Sequence, residues 1–540
     1  MAVSIPTPTR TPPPTRDTGT PAYTDGTGTF HPTTRRLVAG RTLAGETIIT
    51  VDACVIGSGA GGAPVAKELA EGGMRVAVLE DGDWHETASF TARPRDMTPR
   101  LYRDAGQIVT VGTPPIGLPL GRAVGGTTLI NSGTCFRTPD HVLTQWQRDF
   151  GLAELTTANL DPFFRRVERE INVSRVPAGL AGSSARLVLE GAARLGLSGG
   201  HLFRNAKGCV GSGVCAFGCP TGAKQHTGIT YVPRAWAAGA TTYTGVTAQR
   251  VVHRDGRVAE VVARTAAGGT LRVRCRHAIV ACGTLLTPAL LAASGVGQAS
   301  GELGGNLSIH PASAARAVFD EDLDPWTGVP QSAYVDGLQA EGIMFEGISG
   351  PPDQAAASTP RTGAAHRDLM LQARRTASFG VMVHDTARGS VRRRAGQTVI
   401  RYDLHPDDAA RFQRGMAVLA EIFFAVGARE VVVPLAGVPT LRGGDVGPLT
   451  TARIRPRDVS AMAFHPLGTA RAGADPATSV VDPDLRMHGI DGLHVCDGSA
   501  VPSSLGVNPQ ITIMALATRL AYHLLGKPAP EHEPVPTAIA

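Results

Sequence analysis

The chain has 540 residues, of which 18% are charged and 42% apolar, with a formal net charge of +6. That length exceeds what one core usually serves, so two closely joined domains are expected. Lysine and arginine are spread along the chain rather than clustered, and no apolar run reaches membrane-span length, so nucleic-acid binding and a spanning segment are both excluded as expectations.

Residues 1–45 open on a Pro- and Thr-rich stretch without the apolar centre of a signal peptide, and read as an arm that is disordered or draped over the surface. Arg35-Arg36 is followed by a stretch too polar and short for a twin-arginine signal, which leaves a cytoplasmic location as the default. Next, "DACVIGSGAGGAPVAKELAEGGMRVAVLED" (52–81) reads as strand, glycine turn, helix and strand. Gly57 permits the tight turn, Gly59 lets backbone approach a pyrophosphate, and Gly62 lets helix pack on strand. The helix start offers N–H groups to phosphates, and Glu80 ends the second strand where a carboxylate accepts from ribose hydroxyls. This is a dinucleotide-binding unit. An acid at that place argues against NADP, while NAD and FAD both stay open.

A second glycine-rich loop, "GRAVGGTTLINSGTCFRTP" (121–139), has no strand–turn–helix setting. Gly125 and Gly126 would let backbone run against a flat ligand, and Asn131 would hydrogen-bond it. Further on, "KGCVGSGVCAFGCPTGAKQHTG" (207–228) holds Cys209, Cys215 and Cys219. The expected reading is a structural loop with free or locally paired thiols. The alternatives are an iron–sulfur cluster ligated by the three thiolates, or another metal. The remaining five cysteines, several within apparent strands, read as small core residues without a disulfide framework.

The segment 241–265 reads as a hairpin turning at "RDGR" (254–257). After the strand "HAIVACG" (277–283), Thr287 reads as a helix N-cap with Pro288 at the first helical position. "GGNLSIHP" (304–311) is a loop with an Asn/His pair. Strands are expected at 378–385 and 398–404 and a helix at 406–426, while "VRRR" (391–394) reads as an exposed strand or hairpin. Residues 330–350 are expected to form part of a pocket, with Glu346 as an extra polar contact, a buried structural carboxylate or an exposed one. Near the end, "AFHPLGTARAG" places His465 in a loop. The strand "LHVCD" ends at Asp497, and Asn508 reads as an N-cap with Pro509 opening the last helix, whose positive end would face a ligand.

Taken in order, "VIGSGAGGAPVA", "GRAVGGTTLIN", "GTLLTPALLAASGVG", "GGNLSIHP" and "HPLGT…VCDGSAVPSSLGVNP" span about residues 51 to 525. This series resembles the glucose–methanol–choline (GMC) oxidoreductases, flavoproteins that oxidise alcohols. The end motif is most similar to the branch of cholesterol oxidase and bacterial or long-chain alcohol oxidases, where a His and an Asn flank the flavin, and here the Asn is Asn508.

The resemblance implies an α/β fold. A Rossmann-like FAD-binding domain would be assembled from 46–150, 241–311 and 456–526. Residues 151–240 would hold a linker, the cysteine loop and part of a cap, 312–455 a substrate-binding domain, and 527–540 a flexible tail. It implies FAD as cofactor, without a local motif for covalent attachment. Gly57, Gly59 and Gly62 would hold the pyrophosphate and Glu80 the ribose, with Gly125, Gly126 and Asn131 along the flavin. Ala248 would touch adenine through backbone, Asp497 and Gly498 would hold the ribityl-pyrophosphate region, and Asn508 and Pro509 would lie at the ring. Hydride would pass from a small-molecule alcohol to flavin N5, with His465 as base and Asn508 orienting the hydroxyl. Oxygen would be the acceptor. The alternatives are a dehydrogenase feeding a cytochrome, quinone or other carrier, and a non-redox flavin-binding lyase or structural flavoprotein.

Overall fold

The computed structural model describes residues 35–531 except 360, 395 and 396, and the backbone of three two-residue strands nearer the start, Val3–Ser4, Tyr23–Thr24 and Phe30–His31. Most of the arm expected over 1–45, and the end of the tail expected over 527–540, lie outside the described residues. The last part of that arm is a correction. Leu37–Ala39 is the edge strand of a parallel sheet, paired with Thr241–Thr244.

That sheet has six strands, in the order Leu493–Val495, His277–Val280, Ala53–Ile56, Val76–Glu80, Thr241–Thr244, Leu37–Ala39. Every pairing is parallel. Ala53–Ile56 and Val76–Glu80 are buried at each position, which explains their unbroken apolar runs. Helix Gly62–Glu71 connects these two strands and is itself buried along nearly its whole length. The glycine turn, Glu80, Gly283 and Asp497 therefore all fall at the carboxyl ends of parallel strands, where open α/β sheets bind ligands.

A second sheet contains the hairpin Val246–Arg254/Arg257–Thr265, flanked by Thr270–Arg274 and Glu46–Thr50. Its turn residues Asp255 and Gly256 take φ of 50° and 71°, the positive values a tight two-residue hairpin demands.

The third sheet has eight strands, all antiparallel. Its path runs Leu441–Arg442, Glu430–Val432, Pro311–Val318, Thr376–Val383, Ile343–Gly347, Ala333–Val335, Gly199–His201, with Met462–Ala463 pairing beside Pro311–Val318. Helix Pro406–Ala425 covers one face. It opens with Pro406, Asp407 and Asp408 in the first turn, and the His405 ring accepts from the Asp407 N–H at 3.2 Å, so both charge and cap favour its start. Phe345, Phe379, Phe412 and Phe423 are fully buried between helix and sheet, each worth roughly 1.5–3 kcal/mol of apolar burial. The "VRRR" segment forms the hairpin Ser390–Arg394/Gln397–Arg401, with its arginines exposed. Among the described residues no helix is long and apolar enough to cross a membrane.

Candidate active site

A cavity of about 1320 Å³ lies between the carboxyl ends of the parallel sheet and the uncovered face of the eight-stranded one. Its glycines divide by what surrounds them. A Cβ on Gly57 would stand 2.2 Å from the Ala281 carbonyl oxygen, and one on Gly62 2.0 Å from that of Gly57. These two serve the chain itself. Gly59 is different: the nearest atom to its Cβ would be the Gly126 Cα, 3.8 Å away, and both residues line the cavity. Gly125 and Gly126 take φ of 103° and 52°, which bring the second glycine loop against the first.

Glu80 lines the cavity, but its carboxylate is held by protein donors. It accepts from the Ser58 N–H at 3.1 Å, the Ser58 hydroxyl at 2.7 Å and the Gly82 N–H at 2.8 Å. Burial, then Asp81, pushes its pKa up to about 7. Asp497 likewise accepts from Gly283 N (2.7 Å), Thr287 Oγ1 (2.6 Å), Ser499 N (2.8 Å) and Ser499 Oγ (2.5 Å). This corrects the helix cap expected at Thr287. The helix Thr287–Ala293 has no side-chain cap, because the Thr287 hydroxyl donates to Asp497 and ties two strand ends together. Ala248 and Gly498 line the cavity as well.

His465, Asn508 and Glu346 meet at one place. Asn508 Nδ2 donates to His465 Nε2 at 3.2 Å and to Glu346 Oε2 at 3.3 Å, and Gln331 Nε2 donates to the same Glu346 oxygen at 2.6 Å. Asn508 Oδ1, Glu346 Oε1 and His465 Nδ1 are buried without a hydrogen-bond partner, and all three residues line the cavity. Burial followed by the neighbouring His310 holds the His465 pKa well below the usual histidine value. Burial raises Glu346 to about 7. At neutral pH the imidazole is therefore uncharged and able to accept a proton, while Glu346 populates both of its forms.

The second expected cap is also corrected. Pro509 is the N-cap of helix Gln510–Leu524 and no side chain caps it, because the Asn508 amide is spent on His465 and Glu346. The positive end of this helix faces the cavity, which Asn508, Pro509, Gln510 and Ile513 line.

Loops carry both His465 and Asn508, yet both are pinned. Leu467 and Ser308 exchange backbone hydrogen bonds, and the Thr284 hydroxyl donates to the Pro466 carbonyl at 2.6 Å. His310 Nε2 accepts from the Leu505 and Gly506 N–H groups at 2.8 and 2.9 Å. Buried Asp385 accepts from Ile309 N, His310 N, Tyr402 Oη and Ser504 Oγ. Asp385 thus locks the loops before His310 and Asn508 into one unit.

Asn131 donates from Nδ2 to Gln510 Oε1 and leaves Oδ1 buried and unpaired. The cysteine loop lies directly beneath. Buried Lys224 donates from Nζ to the carbonyls of Leu129 (2.6 Å), Asn131 (2.6 Å) and Cys215 (2.8 Å). Arg204 donates from Nε to the Ser132 carbonyl at 2.8 Å, and from Nη2 to Cys215 Sγ at 3.1 Å. Cys209 Sγ accepts from Gly211 N, and Cys219 pairs with Thr221 Oγ1. Among the described residues no group of three or more His, Cys, Asp or Glu side chains is placed to hold a metal. All eight cysteines are free thiols.

Sequence reasoning missed Gln331, Gln510, Lys224 and Asp385. Lys224 left a signal, a lone cation inside a cysteine- and glycine-rich loop. The two glutamines left none.

A glycine turn at the end of one parallel strand, a second glycine loop against it and a buried His465–Asn508–Glu346 cluster across one cavity are the arrangement of a dinucleotide-binding enzyme. The sequence matches the GMC oxidoreductase family model over residues 98–312 for its N-terminal part and 385–517 for its C-terminal part. An uncharacterised GMC-type oxidoreductase of Mycobacterium tuberculosis is 40% identical over 485 residues, covering 89% of this chain and 76% of that one. A long-chain-alcohol oxidase of Arabidopsis thaliana is 28% identical over 513 residues, covering 87% and 66%. The crystal structure of pyridoxine 4-oxidase from Mesorbium loti has the same fold, with a TM-score of 0.69 at 20% identity, covering 87% and 98%. The chain belongs to the GMC oxidoreductase family.

Its cofactor is FAD, and the residues present fit that group. The cradle at Gly59 is open, the Asn131 oxygen is unpaired, and a helix N-terminus faces the same space. Gly59→Val is expected to fold but to hold FAD on the order of tenfold more weakly, since only the ligand's space is invaded. Gly62→Ala is expected to disrupt the fold. FAD content and far-ultraviolet circular dichroism separate the two, and normal FAD content in Gly59→Val would count against the cradle.

Proposed function

We propose that this oxidoreductase converts the CH–OH group of a small-molecule alcohol to an aldehyde or ketone. The observation that carries this reading is the convergence of a neutral imidazole, an amide oxygen and a carboxyl oxygen, the last two unpaired, on one wall of the cavity.

Hydride can leave a carbinol carbon readily only if the hydroxyl proton is taken away. His465 takes that proton at Nε2, exchanging the Asn508 hydrogen bond for the substrate hydroxyl. Asn508 orients the same oxygen, and Glu346 fixes the Asn508 amide. FAD, when bound, supplies the hydride acceptor.

In the same proposal Gly57, Gly59 and Gly62 form the pyrophosphate turn, Glu80 meets the ribose and Ala248 the adenine. Asp497 and Gly498 border the ribityl chain, and Gly125, Gly126, Asn131 and Pro509 border the ring. Relatives named as long-chain-alcohol oxidases support an alcohol as donor and oxygen as acceptor. A cytoplasmic location is included on the strength of eight free thiols.

The test is anaerobic mixing of FAD-loaded protein with primary, secondary, aromatic, sugar and steroid alcohols, followed by admission of oxygen. Bleaching by at least one alcohol and fast reoxidation are expected. Bleaching with slow reoxidation would move the acceptor to a separate carrier, and no bleaching would defeat the alcohol reading.

A further inference from the structure

Arg316 stands out among the cavity's lining residues. It lies on strand Pro311–Val318, is 9% exposed, and makes no ion pair among the described residues. Its Nη2 donates to the Ala355 carbonyl at 2.7 Å and to the Ser358 hydroxyl at 3.0 Å. Neither is charged, and Nε and Nη1 have no partner among the described residues. Asp353 also lines the cavity, but it accepts from the Gln354 N–H and forms no pair with this guanidinium. A buried cation without a counter-charge is costly. A purely structural link to Ala355 and Ser358 needs no charge.

Strand register puts Arg316 on the reacting side of the sheet. Gly380 pairs with Ala314 on one side and with Glu346 on the other, so Glu346, Gly380 and Ala314 form a row across one face. Arg316 is two residues beyond Ala314 and shares that face. With about 4.8 Å between strands and about 3.4 Å per residue, the Arg316 and Glu346 Cα atoms are roughly 12 Å apart. The wall between them is made of small residues, Ala314, Gly380 and Ser378, the last paired directly with Arg316, and Ile348 and Phe464 at 43% and 42% exposure flank the cavity.

We propose that Arg316 anchors an anionic group of the substrate, so that the alcohol oxidised here carries a carboxylate or comparable acid at the far end of an apolar spacer. This rests on the alcohol reading above and adds the substrate class. The hydroxyl docks at His465 and Asn508 while the acid supplies the counter-charge that the protein withholds from Arg316.

The test uses FAD-loaded protein, a medium-chain ω-hydroxy fatty acid and its methyl ester. The wild type is expected to favour the acid by about 10- to 100-fold in kcat/KM, the range of a charge-assisted hydrogen bond. Arg316→Gln keeps a donor for Ala355 and Ser358 and should bring the acid-to-ester ratio near one by lowering kcat/KM for the acid, while Arg316→Lys restores part of the preference. A structural role alone would lower thermal stability and leave the acid-to-ester ratio alone. An equal ratio in wild type and Arg316→Gln, or no preference in the wild type, overturns the proposal and leaves the alcohol reading standing.

If no alcohol bleaches the flavin, the alcohol reading fails, and binding of a saturated fatty carboxylate, followed by the shift in flavin absorption, still decides the role of Arg316. Saturable binding weakened about 10-fold or more in Arg316→Gln supports it, and identical binding refutes it. Should Arg316→Gln not fold, the wild type's acid-to-ester ratio decides alone: a preference for the acid supports the anchor and an equal ratio overturns it.

Discussion

Replacing His465 with alanine is expected to slow alcohol-driven bleaching of the bound FAD by about 10²- to 10⁴-fold, the usual yield of a positioned general base. FAD content should be unchanged, because the glycine turn and the Asn131 loop belong to other elements. Burial and His310 hold the imidazole pKa well below the ordinary value, so the ring is uncharged across the neutral range. Asn508, the only hydrogen-bonding partner of Nε2 among the described residues, can release that nitrogen without leaving a charge behind. Stopped-flow bleaching at several pH values is the check. Bleaching in His465→Ala within a few-fold of wild type would remove His465 from the chemistry.

Glu346→Gln is expected to change stability with a pH dependence that identifies the carboxyl. Burial raises Glu346 from its ordinary 4.5 to about 7. Between those values the folded protein holds a proton that the unfolded chain has released, so wild-type stability falls as pH rises through that window and levels off above it. The cost at pH 8 approaches about 3 kcal/mol. Glutamine has no such cost and retains the oxygen that accepts from Gln331 and Asn508. The variant should therefore gain on wild type between about pH 5 and 8 and show no gain below that range. Denaturant midpoints at both ends measure it, and parallel curves for the two proteins would contradict the raised carboxyl. The same substitution should abolish any inflection near pH 7 in the bleaching rate.

Much of this molecule is legible as local chemistry. The glycine turn, helix Gly62–Glu71 and strand Val76–Glu80 follow from apolar runs bounded by glycines, and the hairpin at Asp255-Gly256 follows from its turn residues. The FAD cofactor and the family come from the order of five motifs, since the turn alone suits NAD equally well. The failures share one cause. Thr287 and Asn508 have the residue types and positions of helix caps, but tertiary partners compete for their side chains, and Asp497 and His465 win. The edge strand Leu37–Ala39 reads as part of an arm because three residues carry little periodicity until a neighbour pairs with them. Glu346 cannot be placed from sequence, because its pairing with Gly380 and its contact with Asn508 join residues far apart along the chain.

The most direct test of the central claim is single-turnover bleaching, without oxygen, by a reactive alcohol and by the same alcohol deuterated at its carbinol carbon. Slower bleaching with the deuterated alcohol, and near loss of bleaching by either one in His465→Ala, is the predicted result. Bleaching that ignores the isotope and survives the loss of the imidazole would mean that proton and hydride do not leave the substrate at this site.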